Sequence, residues 1–200
     1  MDEHNNHDDD LNIWPYCLPE GGALDFENCP DCWEKSMHRQ RYHFASVCFE
    51  GMRILDFGCG VGYGTRMMLT KSEEVIGMDS SRSAIELARA RGHAYRFYLP
   101  EQMVGGPATW HESFNAITAF EVIEHLENPY EFLDALSVRD LLASVPVIPT
   151  VGRNPHHRTD FTMESFRSVL ERRRSIQSWF IQVKPFHNTP TYAVYHARLR

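Results

Sequence analysis

The stretch Ile54-Leu-Asp-Phe-Gly-Cys-Gly-Val-Gly-Tyr-Gly-Thr65 constrains this chain more than any other. Ile54, Leu55 and Phe57 suit a buried strand, and Gly58, Gly60, Gly62 and Gly64 crowd the turn behind it. Such a run of glycines raises the entropy that folding must remove, so the turn has to need unusual dihedrals or close backbone approach. The pattern predicts a strand, a sharp turn and the amino end of a helix, where unpaired N–H groups and the helix dipole favour a polar or anionic ligand. The spacing is not the dinucleotide fingerprint Gly-x-Gly-x-x-Gly. Nor is it a phosphate-binding loop, which would close on Gly-Lys-Ser/Thr.

A second landmark follows. Glu74-Val-Ile-Gly-Met-Asp79 reads as another strand, ending in an acid about twenty residues after the glycines, where a carboxylate can accept both hydroxyls of a ribose. The competing role for Asp79 is a helix cap, because Ser80, Ser81 and Ser83 open the helix behind it. With this support, Asp56-x-Gly58-x-Gly60-x-Gly62 resembles the first motif of the class I, Rossmann-like S-adenosylmethionine-dependent methyltransferases. The resemblance covers about residues 37–182 and is strongest at 53–65 and 117–130. It implies S-adenosylmethionine as cofactor. Gly58, Cys59, Gly60 and Gly62 would lie beside its methionine part, Asp56 near its ammonium group, and Asp79 and Ser80 at the ribose. Phe120 and Glu121 would close the other side, and the adenine contact would come from 99–103, with Gln102 or Met103 the candidates.

The rest of the chain alternates in the same rhythm. Strands are expected at about 52–57, 74–78, 95–99, 115–121 and 141–146, with helices at 62–70, 81–91 and after Pro129. Tyr130, Leu133, Leu136 and Val138 mark the inward side of the last of these. A helix over 162–174 follows the polar loop 147–160, and 175–183 with 191–198 reads as an antiparallel pair. Before the glycine stretch, Met37, Arg41, Phe44, Ala45 and Cys48 recur at helical spacing over 34–49. The fold class is therefore α/β, a three-layer α/β/α sandwich with a mostly parallel seven-stranded sheet and a C-terminal antiparallel hairpin. The ligand site belongs at the carboxyl ends of the first, second and fourth strands. Residues 1–12 are expected to be a disordered tail and 13–36 an irregular arm with Trp14, Tyr16 and Trp33. Residues 37–200 form the methyltransferase-like domain.

Composition narrows the partners. Of 200 residues, 27 are acids and 20 are Lys or Arg, a formal net charge of −7, which does not draw the chain to nucleic acid or anionic lipid. No apolar run reaches the roughly twenty residues of a membrane span, so a cytoplasmic protein without membrane insertion is expected. Cys17, Cys29 and Cys32 lack a fourth ligand at zinc spacing, and no residue is assigned to a metal on that ground.

Three further stretches carry chemistry. Phe120-Glu-Val-Ile-Glu-His-Leu-Glu-Asn-Pro129 resembles the segment after the fourth strand in the small-molecule and glycan-associated branch of the family. Within it Glu121, Glu124 and His125 admit three roles: His125 as general base toward an acceptor hydroxyl, the three as a divalent-metal site with His156 or His157, or a brace over the cofactor. The metal arrangement resembles the magnesium site of small-RNA 2′-hydroxyl methyltransferases. Asn154-Pro-His-His-Arg-Thr-Asp160 resembles a segment over the acceptor side of the pocket, so His157 joins His125 and Glu124 as catalytic candidates. His38-x-x-Arg41-Tyr42 resembles the helix ahead of the first motif, with Arg41 charged toward the cofactor carboxylate and Tyr42 as packing wall.

The expectation is methyl transfer from S-adenosylmethionine to an oxygen or nitrogen of a small-molecule or glycan-linked acceptor. Two rivals stay open: a magnesium-dependent 2′-O-methyltransferase of RNA, and a non-catalytic cofactor-binding subunit of a partner protein. An oligomer or a partner could complete the acceptor side, because little chain remains after the fifth strand.

Overall fold

The computed structural model describes residues 25–28, 31–184 and 188–200. Residues 1–12, most of the arm with Trp14 and Tyr16, and the cysteines at 17 and 29 lie outside the described residues. Five helices and seven strands follow in the order α1 (Trp33–Cys48), β1 (Arg53–Phe57), α2 (Tyr63–Met68), β2 (Glu74–Met78), α3 (Arg82–Ala90), β3 (Phe97–Tyr98), β4 (Ala116–Phe120), α4 (Pro129–Ala135), β5 (Asp140–Pro146), α5 (Met163–Leu170), β6 (Arg174–Lys184) and β7 (Thr189–Leu199). The strands form one sheet in the order β3-β2-β1-β4-β5-β7-β6. The first five run parallel, whereas β7 pairs antiparallel with both β5 and β6. This is the mostly parallel sheet with a terminal hairpin that the alternation implies.

Alternating side chains build the layers. Ile54 and Leu142 point with Tyr42, Ala45, Phe49 and Met68 to the side of α1 and α2. Their neighbours Leu55 and Leu141 pack with Leu133 of α4 and Phe166 and Leu170 of α5 on the other side. Strands covered on both faces read as continuous apolar runs, which is why β4 and β5 are buried at every position.

Several local expectations change. The first helix begins at Trp33, inside the 13–36 segment, with Cys32 as N-cap accepting from Lys35 N–H. The third strand is only two residues, because the chain from Ala94 to Arg96 winds into a 3-10 turn first. Tyr130 is 43% exposed, so α4 turns Leu133 but not Tyr130 inward. Pro146 ends β5, an inner strand, opposite Tyr192. The last helix stops at Leu170, and Arg174 belongs to β6 rather than to a solvated helix end. Its buried guanidinium donates to the Leu136 carbonyl at 2.7 Å.

The glycines position the switch point. Gly58, Gly60 and Gly62 all have left-handed φ, at 76°, 52° and 78°. A Cβ on Gly58 would stand 2.2 Å from Val122, and one on Gly64 would stand 2.0 Å from the Tyr42 ring. The first two glycines therefore turn the chain, and Gly64 lets α2 press against α1.

Candidate active site

A cavity of about 1160 Å³ opens where the carboxyl ends of β1, β2 and β4 meet the loop after β5. Ligand pockets typically span roughly 300–1,000 Å³, so the cavity is large enough for a small-molecule ligand. Gly58, Cys59, Gly60, Asp79, Ser80, Phe120, Glu121, Arg41, Tyr42, His125 and His157 all border it. Asp56, Gly62 and Glu124 are not among the bordering residues.

Asp56 lies beneath the floor, fully buried. It accepts from Thr65 Oγ1 at 2.6 Å, Thr118 Oγ1 at 2.8 Å and the Tyr42 hydroxyl at 3.1 Å. Burial pushes its carboxyl up to about 6 against the pull of these donors. Asp56 thus ties α1, α2 and β4 together under the site.

Asp79 ends β2 and takes the N–H of Gly60 and of Ser81, each at 2.8 Å. The helix cap itself is Ser81, whose hydroxyl accepts from Ala84 N–H at 3.2 Å. The amides of Gly58 and Cys59 donate to the Met78 carbonyl and that of Gly62 to Cys59. Four N–H groups of the glycine loop, those of Gly58, Cys59, Gly60 and Gly62, are thus already engaged within the protein.

The opposite wall rests on Glu121, which has a left-handed φ of 57° that non-glycine residues seldom adopt. Its carboxylate accepts from Ser144 Oγ at 2.7 Å and lies 3.1 Å from Arg41 Nη1. Arg41 also donates to Gln182 Oε1 at 2.7 Å, and its guanidinium stacks 4.3 Å from the centre of the Tyr192 ring. Burial raises the Glu121 carboxyl, and the arginine opposes that rise.

Glu124, His125 and His157 converge beside the loop after β5. One ligand atom of each lies within 4.8 Å of the others. His125 Nδ1 is 3.1 Å from the His156 carbonyl, so it carries the hydrogen and leaves a lone pair on Nε2. Thr150 Oγ1 gives its hydrogen to Asp160 and so accepts from His157 Nδ1 at 2.6 Å, leaving His157 Nε2 as a lone pair too. Burial, then the neighbouring His157, pushes His125 down to about 4, so the base role loses the near-neutral pKa expected of it. The Glu124 carboxylate is fully buried, and neither oxygen has a hydrogen-bond partner. Burial first and Glu121 second hold its carboxyl well above the usual range. His156 contributes its backbone rather than its ring.

Of the adenine candidates, Met103 borders the cavity, whereas Gln102 is spent on Leu99 N–H and Arg89. Wall residues that no motif announces include Phe26, Arg153 and Tyr192. Phe26 comes from the arm, where Asp25 and Glu27 pair with Arg91 at the end of α3 and Glu27 also with Arg66 of α2.

The methyltransferase domain family matches residues 34–143, more than half of the chain. The chain belongs to that family. This methyltransferase domain is 31% identical over 113 residues to the ubiquinone biosynthesis O-methyltransferase of Ruegeria sp., covering 54% of this chain and 44% of that protein. The protein of the same name from Cereibacter sphaeroides is 33% identical over 119 residues, 56% of this chain and 46% of its own length. The chain thus spans about half the length of these curated relatives. Among solved structures, the methyltransferase domain of bacterial CtHen1 superposes with a TM-score of 0.62 at 21% identity, over 82% of this chain and 98% of that one. The magnesium protoporphyrin IX methyltransferase of Synechocystis, solved with bound S-adenosylhomocysteine, gives 0.61 at 16% identity, over 86% and 90%. These likenesses establish the class I methyltransferase fold.

Proposed function

We propose that the chain transfers the methyl group of S-adenosylmethionine to a hydroxyl oxygen of a small acceptor. The observation that carries this reading is the meeting, in one cavity, of the glycine turn with Asp79 on one side and, on the other, His125 and His157 with Glu124 buried behind them. The cofactor supplies a methyl group on a sulfonium, and the reaction needs the acceptor oxygen in line with it and water excluded. Asp79 would hold the ribose, Gly58 and Gly60 would let the ligand lie against bare backbone, and Phe120 and Tyr42 would wall the methyl position. His125 and His157 would orient the acceptor hydroxyl and draw on its hydrogen. The relatives' printed names supply the oxygen as the atom methylated.

The unpartnered buried carboxylate of Glu124, beside two imidazole nitrogens with free lone pairs, fits a divalent cation. Such a cation would stabilise the acceptor oxygen as it loses its proton. The same cluster is the observation that keeps an RNA 2′-hydroxyl as the second reading. The net charge of −7 sets the small acceptor ahead of it.

Calorimetry with S-adenosylhomocysteine, followed by a product assay with catechol acceptors in magnesium and in chelator, tests the proposal. Binding together with a methyl ether product supports it. Failure of the folded protein to bind S-adenosylhomocysteine defeats it, and transfer only to an RNA 3′ end replaces it with the second reading. His125→Ala should retain cofactor affinity and lose most turnover. Full turnover in that variant would remove His125 from the chemistry.

A further inference from the structure

The charges around the cavity are unevenly neutralised. Arg41 is paired with Glu121, and Asp79 is occupied by two backbone amides. On the acceptor side, Arg153 and Arg158 stand at the rim on the loop after β5. Among the described residues, the Arg153 side chain has no hydrogen bond or ion pair, and Arg158 comes no nearer than 3.7 Å to the exposed Glu127. The one acid in the loop, Asp160, is spent inside it, accepting from Thr150 N–H at 2.7 Å, Val151 N–H at 3.0 Å and the Thr150 hydroxyl.

The loop is also a fixed platform. Arg158 N–H and Thr159 N–H donate to the Glu124 carbonyl at 2.8 and 3.2 Å, and His125 holds the His156 carbonyl. Arg158 is therefore carried on backbone bonded directly to Glu124, and Arg153 on a turn in which its N–H donates to the Thr150 carbonyl at 3.0 Å. A solvated surface arginine needs no partner. Here, though, both arginines border the cavity that His125 and His157 also border, Arg153 without an ion pair among the described residues and Arg158 with only the exposed Glu127 at 3.7 Å. A guanidinium fork matches a carboxylate or phosphate in geometry and charge.

Resting on the small-acceptor reading above, we propose that the acceptor carries an anionic group remote from its reacting hydroxyl, bound by Arg153 with Arg158 beside it. The shared chemistry is a planar or tetrahedral oxyanion, from either a carboxylic acid or a phosphate monoester. Arg153 then determines specificity and acts on acceptor affinity.

Matched pairs test this in the presence of saturating S-adenosylhomocysteine: 3,4-dihydroxybenzoate against catechol, and ribose 5-phosphate against ribose, each titrated by calorimetry. At least a tenfold preference for one anionic member over its neutral partner is expected, and which pair shows it identifies the source. That preference should shrink at least fivefold in Arg153→Gln, with Arg158→Gln smaller in effect and S-adenosylhomocysteine affinity serving as the folding control. Equal affinity within both pairs, no binding by either anion, or an undiminished preference in Arg153→Gln overturns the inference while leaving methyl transfer intact. Tight binding of a short oligoribonucleotide in place of the small anions also overturns it. A wild-type chain that fails to bind S-adenosylhomocysteine overturns the methyltransferase reading, and this inference with it.

Discussion

Arg41 Nη1 lies 3.1 Å from Glu121 Oε1, joining the first helix to the turn after β4 through a guanidinium that is only 1% exposed. Removing one member of such a pair leaves the other charge buried without compensation, which costs about 3–5 kcal/mol. Arg41→Met should therefore lower the stability in urea by about that much. The double variant Arg41→Met with Glu121→Gln should recover most of the loss, because no unpaired charge remains. If the double variant is as unstable as the single one, the pair matters for its packing on Tyr192 rather than for its charge.

Gly64 faces the Tyr42 ring where a Cβ would have 2.0 Å of space. Overpacking of this kind typically costs about 1–3 kcal/mol, so Gly64→Ala should lower the thermal midpoint with the glycine turn itself unchanged. The companion change Tyr42→Leu frees that space and should make Gly64→Ala nearly neutral in the double variant. Additive losses would show that the helices do not meet there.

These two contacts show what the sequence discloses and what it hides. The strands and the glycine turn are legible because each is a local pattern: apolar runs for doubly covered strands, glycines for left-handed φ. The Glu124–His125–His157 meeting is half legible. Glu124 and His125 are adjacent in sequence, whereas His157 reaches them through a loop whose path depends on Asp160 and Thr150. The Arg41–Gln182 bond joins residues 141 positions apart, so nothing local announces that Arg41 is committed to the protein. Arg153 and Tyr192 reach the cavity in the same way. Part of the N–H supply expected of the glycine loop is already used, because Met78, Asp79 and Cys59 give Gly58, Cys59, Gly60 and Gly62 acceptors that spacing alone does not reveal.

Asp56 sets a pH dependence of stability. Its carboxyl is raised from 3.8 to about 6 by burial, so the folded state holds the proton more tightly than the unfolded chain. The penalty is absent below about pH 4, grows as pH rises between the two values, and is complete above about 6, amounting to about 3 kcal/mol. Asp56→Asn removes the ionisation. From pH 4 to 7 the variant should lose less stability than the wild type by about that amount, as read from urea midpoints at each pH. Parallel profiles would mean that the hydroxyl groups of Thr65, Thr118 and Tyr42 hold Asp56 ionised at low pH after all.

The arm gives the last prediction. Arg91 binds both Asp25 oxygens at 2.7 Å and Glu27 at 2.8 Å, while Phe26 between them forms part of the cavity wall beside His38 and Tyr63. Two acids flanking a buried aromatic thus hold the wall against α3, so a ligand seated under Phe26 would leave faster once these ion pairs are weakened. Arg91→Met keeps the length of the side chain and removes the charge. Bound S-adenosylhomocysteine should then leave roughly tenfold faster, a change of about 1.4 kcal/mol. The wild-type dissociation rate should rise more steeply with salt than that of the variant, in which only the Arg66–Glu27 pair is left for screening to act on. Stopped-flow displacement at two ionic strengths measures both. An unchanged rate in Arg91→Met would place the ligand clear of Phe26 and leave the arm as a surface clasp.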